Sequence, residues 1–238
     1  MAVPRRPPRT RPVLVVLAAV ALGTPCGALD LIGSGRRPLP IVLAQGASLP
    51  EQTAASELAT YLGRVTRAPF AVQAEGAQPS PARAIYVGPT RLARSLGFGP
   101  DVLEPEEWAI RSGSYGLVLA GGRPRGTLCA VYHFLEDVVG VHWWNPWEET
   151  VPTRARLSVG RLNLRGQPGF RYRDIYMIYG HDGGRFAARN RLNRDGDVAI
   201  APEYGGTMDY GPPYHVHTFY MYIPPETCFA EHPEWFSL

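Results

Sequence analysis

The sequence predicts an α/β (α+β) protein whose first part is a two-layer α/β sandwich, and three observations carry that prediction. Apolar residues recur at helical spacing in two stretches: Ala54, Ala55, Leu58, Tyr61, Leu62 and Val65, then Leu128, Val131, Tyr132, Leu135 and Val138. Each set forms one stripe along a helix. Short apolar runs bounded by Gly, Pro and Ser alternate with these stretches, as strands do. After Gln167-Pro168-Gly169 both patterns fade into chain rich in Gly, Asn, Asp and Pro.

Taken in order, residues 39–44 read as a strand, and Leu49-Pro50-Glu51 opens a helix of about four turns carrying the first stripe. Residues 70–74 and 84–87 read as strands, the second stopped by Gly88-Pro89. Residues 108–111 and 115–119 flank Ser112-Gly113-Ser114, a hairpin signature. The second helix covers about 127–139, with Gly140 as its stop. Trp143-Trp144 begins a short extended segment, and 149–151 with 156–159 complete a mainly antiparallel sheet. This unit, residues 29–160, has the size of an ordinary domain. In 161–238, residues 170–178 and 214–223 read as strands, 185–192 as a weak helix and 225–232 as a short helix start. The loop-like stretch 180–213 has a length that compact domains reserve for function.

The N-terminus sets the compartment. Arg5, Arg6, Arg9 and Arg11 precede an uncharged apolar run from 13 to 22, and Cys26 and Ala28 stand as small residues before Leu29. This is the pattern of a secretory signal peptide over residues 1–28, and the run is shorter than the ~20 residues of a spanning helix. A lipid anchor at Cys26 is the second choice, because Pro25 fits a lipidation site poorly. The expected location is secreted or periplasmic. Taking the four leader arginines from a formal +3 leaves the mature chain at −1, without the basic patch that nucleic-acid binding requires. Cys129 and Cys228 remain; Cys129 sits in an apolar helical pattern, so an unbridged pair is expected.

Several residues invite chemistry. The turn from Gly121 to Thr127 has a phosphate-loop texture but lacks the lysine and Ser/Thr ending, so a tight strand-to-helix turn explains its glycines. His215 and His217 share a face if extended and could hold a metal with His232, Glu203 or Asp209; equally, one points into a cleft and the other is held by hydrogen bonds. Arg171 and Arg173 share a strand face and Asp174 takes the other, where charges need partners or a polar site. Arg189-Asn190-Arg191 and the tyrosines at 204, 210, 214, 220 and 222 combine donors with ring faces, which suits sugars or a partly aromatic core. Glycoside hydrolysis needs two carboxylates at set separations, and spacing selects none among Asp182, Glu203, Asp209 and Glu226.

The run from Arg125 to Glu136, then Gly140 and Trp143-Trp144, resembles the N-terminal domain of alpha-glucuronidases and is similar to the second domain of beta-hexosaminidases. The helix carrying Ala54, Ala55, Glu57, Leu58 and Tyr61 fits the same domain, which in those families precedes a catalytic (β/α)8 barrel. Phe170-Arg171-Tyr172-Arg173-Asp174 is similar to the first barrel strand of hexosaminidases, where an arginine grips sugar hydroxyls; by position this is Arg173. His217-Thr218-Phe219, Pro224-Pro225 and the run from His232 to Leu238 resemble a bacterial alpha-glucuronidase-like family, domain of unknown function 4838.

The resemblance therefore implies a sandwich followed by the first part of a truncated (β/α)8 barrel in 161–238. A barrel needs about 200 residues or more, and 69 lie between Phe170 and Leu238. The catalytic acids are accordingly expected beyond residue 238 and the isolated chain is expected to be inactive. The expected function is a fragment of an exported glycoside-hydrolase-like protein acting on a carbohydrate, with Arg173, His217, Arg189 and Asn190 binding substrate. No cofactor and no nucleic-acid or membrane partner after leader cleavage is expected. The alternatives are a non-catalytic exported glycan-binding module and a metal-dependent hydrolase using His215 and His217.

Overall fold

The computed structural model describes residues 28–32, 35, 37–77, 81–176, 184–196, 198–209 and 218–237. Residues 1–27 of the expected leader, and His215 and His217, lie outside the described residues. In chain order the elements are β1 (Leu29–Ile32), β2 (Ile41–Leu43), α1 (Leu49–Thr66), β3 (Val72–Ala74), β4 (Ala84–Val87), α2 (Arg91–Ser95), β5 (Trp108–Gly113) and β6 (Gly116–Gly121). There follow α3 (Gly126–His133), continued by a π-helical turn Phe134–Val139, then β7 (His142–Trp143), β8 (Glu149–Thr150), β9 (Leu157–Val159) and β10 (Asn163–Gly166). Beyond these come α4 (Arg185–Arg189), α5 (Phe219–Tyr222) and α6 (Pro225–Cys228), with 3-10 turns at Pro202–Tyr204 and Pro233–Trp235.

A six-stranded sheet organises the first region in the order β10-β5-β6-β4-β2-β3. Three of its pairings, β2–β3, β2–β4 and β4–β6, are parallel, and β5–β6 and β10–β5 are antiparallel. The sheet is therefore mixed, not mainly antiparallel. Its parallel part reads Ile41-Val42-Leu43, Ala84-Ile85-Tyr86-Val87 and Gly116 to Gly121, near-continuous apolar runs of the kind covered on both faces. α1 supplies the crossover that lets β2 and β3 run the same way. β10 lies past residue 160 and adds an edge strand to this sheet.

All six apolar positions of the α1 stripe are buried, as are Leu128, Val131, Tyr132 and Leu135 of the second helix. Both helices pack in one core with Ile85, Val87, Ile110, Leu117 and Leu119 from one sheet face. The opposite face is not open: Ala93 of α2, Phe98 and Leu103 cover Ala109, Val118 and Ala120. The sheet is thus layered on both sides, thinly on the second. α1 begins where the Glu51 carboxylate accepts the Ser48 backbone N–H at 2.7 Å, and the second helix stops at Gly140, with φ of 87°. Pro124 follows a cis peptide bond in the turn before α3.

Residues 170–176 are not a strand, and 219–222, expected to be extended, form the helical turn α5. The first difference has a visible cause: the Asn193 side chain occupies the backbone groups a neighbouring strand would use, accepting from Arg173 N at 2.9 Å and donating to Arg171 O at 2.7 Å. α4 and α6 stand where helices were expected.

Cys129 and Cys228 are both free. Burial pushes the Cys129 thiol up to about 12, so it is neither ionised nor reachable near neutral pH. Iodoacetamide at pH 8 is expected to alkylate Cys228 and spare Cys129 in the native chain, with both labelled after unfolding. Peptide mapping checks this, and comparable native labelling of Cys129 would contradict it.

Candidate functional site

The segment carrying Arg173 is held against the sandwich by a buried charge cluster. Glu106 bridges two arginines: one carboxylate oxygen receives Arg125, just before α3, and the other receives Arg173. Glu106 and Arg125 are 4% and 3% exposed, so neither charge is screened by water and each requires its partner. Arg173 also donates through Nε to Arg191 O at 2.8 Å and through Nη1 to Phe170 O at 2.7 Å. Each nitrogen of its guanidinium thus has a partner within the chain. Arg125 in turn donates to the Gly206 carbonyl, tying in the loop after the 202–204 turn.

Around this cluster the surface opens into a cleft of about 520 Å³, walled by Glu106, Arg123, Phe170, Arg171, Arg173 and Met208 among others. Phe170 presents its ring to solvent at 77% exposure. Three arginines face one carboxylate there, and Glu106 is the only acid among the described lining residues. Arg123 is turned toward Glu51, which it meets at 3.0 and 3.1 Å and which accounts for the upward shift of its own pKa. A smaller pocket of about 250 Å³ lies beyond, where Arg173 and Asn190 share a wall with Trp108 and His133. The two rings stack at 4.1 Å, and burial lowers the His133 pKa.

Arg189 is elsewhere. It forms a two-pronged pair with Glu57 at 3.0 and 3.1 Å and lies over the Tyr61 ring at 5.3 Å. Burial opposes its charge, but Glu57 outweighs this and raises its pKa. It lines a third cleft, of about 220 Å³, with Tyr61, Trp143 and Glu149. The structure therefore brings Arg173 and Asn190 together, sets Arg189 apart, and leaves His217 outside the described residues. Among the described residues no cluster of three metal-ligand side chains occurs; His215 and His217 are not among them.

Glu106 and Asn193 escaped the reading of the sequence. Glu104-Pro105-Glu106-Glu107 has the look of a solvated acidic loop, and only the fold puts one member at 4% exposure. Asn193 carried a faint signal as an asparagine inside a loop with other turn formers, where such side chains commonly bond the backbone.

Residues 143–238 match DUF4838, a domain of unknown function. The DUF4838 match takes in Trp143, β8, Arg173, Arg189, Asn190 and His217. No curated protein matches the chain. Among solved structures, a family GH115 4-O-methyl-alpha-glucuronidase, BtGH115A, with specificity for decorated arabinogalactans, is 17% identical with a TM-score of 0.51 over 71% of this chain. A Streptomyces plicatus N-acetyl-beta-hexosaminidase is 14% identical with a TM-score of 0.47 over 71% of this chain. The chain spans 26% of the first and 31% of the second. The likeness to the glucuronidase is one of fold.

Proposed function

We propose that this chain is the exported front portion of a glycoside-hydrolase-like protein that acts on a carbohydrate. In this reading residues 1–28 are a signal peptide, 29–160 the α/β domain and 161–238 the start of a (β/α)8 barrel. Arg173, Asn190, Arg189 and His217 bind substrate, Arg173 from a guanidinium already oriented by Glu106. The fold shared with a GH115 alpha-glucuronidase and the DUF4838 match support it.

The observation that carries the reading is the composition of the 520 Å³ cleft. An exposed phenylalanine ring can cover the C–H face of a sugar, and the excess of guanidinium over carboxylate suits hydroxyls and a uronate. The same composition bears on catalysis. Both stereochemical routes of glycoside hydrolysis use two carboxylates, whereas Glu106, the one described in the cleft wall, is engaged by two arginines. The described residues thus supply recognition without an acid/base pair, which is the specific point favouring the glycan-binding-module alternative for the chain in isolation.

Binding to an immobilised panel of neutral and uronate-bearing oligosaccharides, run beside a reducing-end release assay, tests the proposal. The expected result is binding to uronate-bearing glycans without release, weakened at least about tenfold in Phe170→Ala and Arg171→Ala, which alter exposed residues. A tenfold loss corresponds to about 1.4 kcal/mol. Absence of binding across the panel, or binding indifferent to both substitutions, would overturn it.

A further inference from the structure

The Arg189 cleft differs from the Arg173 cleft in a way that points to a separate ligand. It is lined on one side by residues 145–148 of the loop between β7 and β8. Asn145 rigidifies this loop: its Oδ1 accepts the backbone N–H groups of Trp147 and Glu148, both at 2.9 Å, and its Nδ2 donates to Glu148 at 2.8 Å. Both flanks are tied to α1 as well. Trp143 Nε1 donates to Tyr61 Oη at 2.8 Å, and Tyr61 Oη donates to Glu149 at 2.5 Å. Burial would raise the Glu149 pKa, but the hydrogen bonds from Tyr61 and Arg64 prevail and lower it. Glu149 is therefore a carboxylate, able to accept from a ligand hydroxyl.

At the mouth of the cleft Trp147 is 71% exposed. A rigid loop holding a wide apolar ring beside charged hydrogen-bonding groups is the general form of a site for polyhydroxylated rings. Its charge balance selects among them. Arg64 pairs with Glu149 and Arg189 with Glu57, so Arg64, Arg185 and Arg189 are set against Glu57, Glu148 and Glu149. An incoming anion would meet carboxylates already seated, whereas a neutral hydroxyl can donate to Glu149 and accept from Arg64.

We infer that the cleft beside Trp147 is a second sugar subsite, taking a neutral pyranose whose C–H face lies on Trp147 and whose hydroxyls meet Arg64 and Glu149. The inference rests on the glycan reading above but concerns a different cleft and a different sugar class. The pre-set loop lowers the ordering cost that otherwise weakens such small contacts.

The indole N–H resonances of the five tryptophans in a 1H–15N correlation spectrum provide the test. The probes are methyl β-D-galactopyranoside, methyl β-D-xylopyranoside and methyl β-D-glucuronoside, each raised to about 50 mM, well past a Kd of ~1 mM. Saturable movement of the Trp147 resonance with either neutral probe, at least about fivefold weaker with the glucuronoside, is expected. Read at the Trp143 indole, which lines the same cleft, Trp147→Ala should abolish binding, and Trp144→Ala, which alters the exposed neighbour outside the cleft wall, should preserve it. No saturable shift with a neutral probe, equal response to the glucuronoside, or equal loss in both variants would overturn the inference. Phe170→Ala separates the two readings: loss of uronate-glycan binding with the Trp147 response intact leaves both standing. A silent Trp147 with uronate-glycan binding intact removes the subsite alone.

Discussion

Glu106→Ala is expected to destabilise the chain by about 3–5 kcal/mol, the range for removing one partner of a buried ion pair. Three facts set that size. The Glu106 side chain is 6% exposed, and its partners Arg125 and Arg173 are 4% and 14% exposed, so solvent cannot replace the lost carboxylate. The two guanidinium groups left behind would also repel each other in a poorly solvated site. Finally, Glu106 joins two sequence-distant parts of the chain, so its loss removes one tie on the 170–176 segment along with the local pair, leaving those made by Asn193. Glu106 further holds a positive φ of 63°, a conformation that costs a residue with a Cβ about 1 kcal/mol or more. Glu106→Gly relieves that strain while removing the same charge, and should therefore be about 1 kcal/mol less damaging than Glu106→Ala. Urea titrations of the three proteins, compared at equal m-values, check both statements. A loss below about 1 kcal/mol in Glu106→Ala would mean that the cluster is solvated and the segment is held by other contacts.

Gly126→Ala is expected to cost about 3 kcal/mol, the upper part of the overpacking range. A Cβ there would stand 2.2 Å from Glu107 O and 2.8 Å from Gly121 C. These are backbone atoms of the β5 entry and the β6 end, and they have no rotamer to change. Gly122 is tighter still, with Glu104 O at 1.9 Å from the position of its Cβ. The matched control is Gly160→Ala, which meets nothing within 4 Å and should stay within about 0.5 kcal/mol of the parent. Thermal or urea unfolding reads all three. The same contacts explain why the glycines of this turn are a packing requirement: the space a phosphate-binding loop would leave open is filled by the chain's own backbone.

The parts of the fold that the sequence announced are those with local, repeated signals. The α1 stripe, the second helix with Gly140 at its end, the β5–β6 hairpin and the short strands at 84–87 and 157–159 each rest on periodicity or on turn residues within a few positions. Long-range pairing was opaque. β1 is four residues long and pairs with β9 at the far end of the domain, and β10 offers only Asn163-Leu164-Arg165-Gly166, with its leucine 40% exposed. The parallel direction of β2, β4 and β6 was encoded in their near-continuous apolar character, but short runs of that kind also suit other buried elements, and β3, Val72-Gln73-Ala74, is largely exposed.

The candidate site divides in the same way. Arg173 and Asn190 stand out as charged or amide groups in an apolar or loop setting, and they do share a pocket wall. Arg189 stood out equally in sequence, yet the fold turns it onto Glu57 and the Trp143 face. Which of several similar arginines reaches a given cleft depends on helix rotation, and a five-residue helix such as α4 is too short to display its rotation as a pattern. Glu106 was the least legible, because nothing in an acidic proline-containing loop forecasts that two distant arginines will close over it.

The most direct test of the central claim is a crystal structure of the chain with a uronate-bearing oligosaccharide. The account predicts the sugar ring over Phe170, with Arg171 and Arg173 within hydrogen-bonding reach of its carboxylate or hydroxyls and Glu106 still bridging Arg125 and Arg173. A uronate bound elsewhere with the Arg173 cleft left empty at saturating oligosaccharide would contradict it.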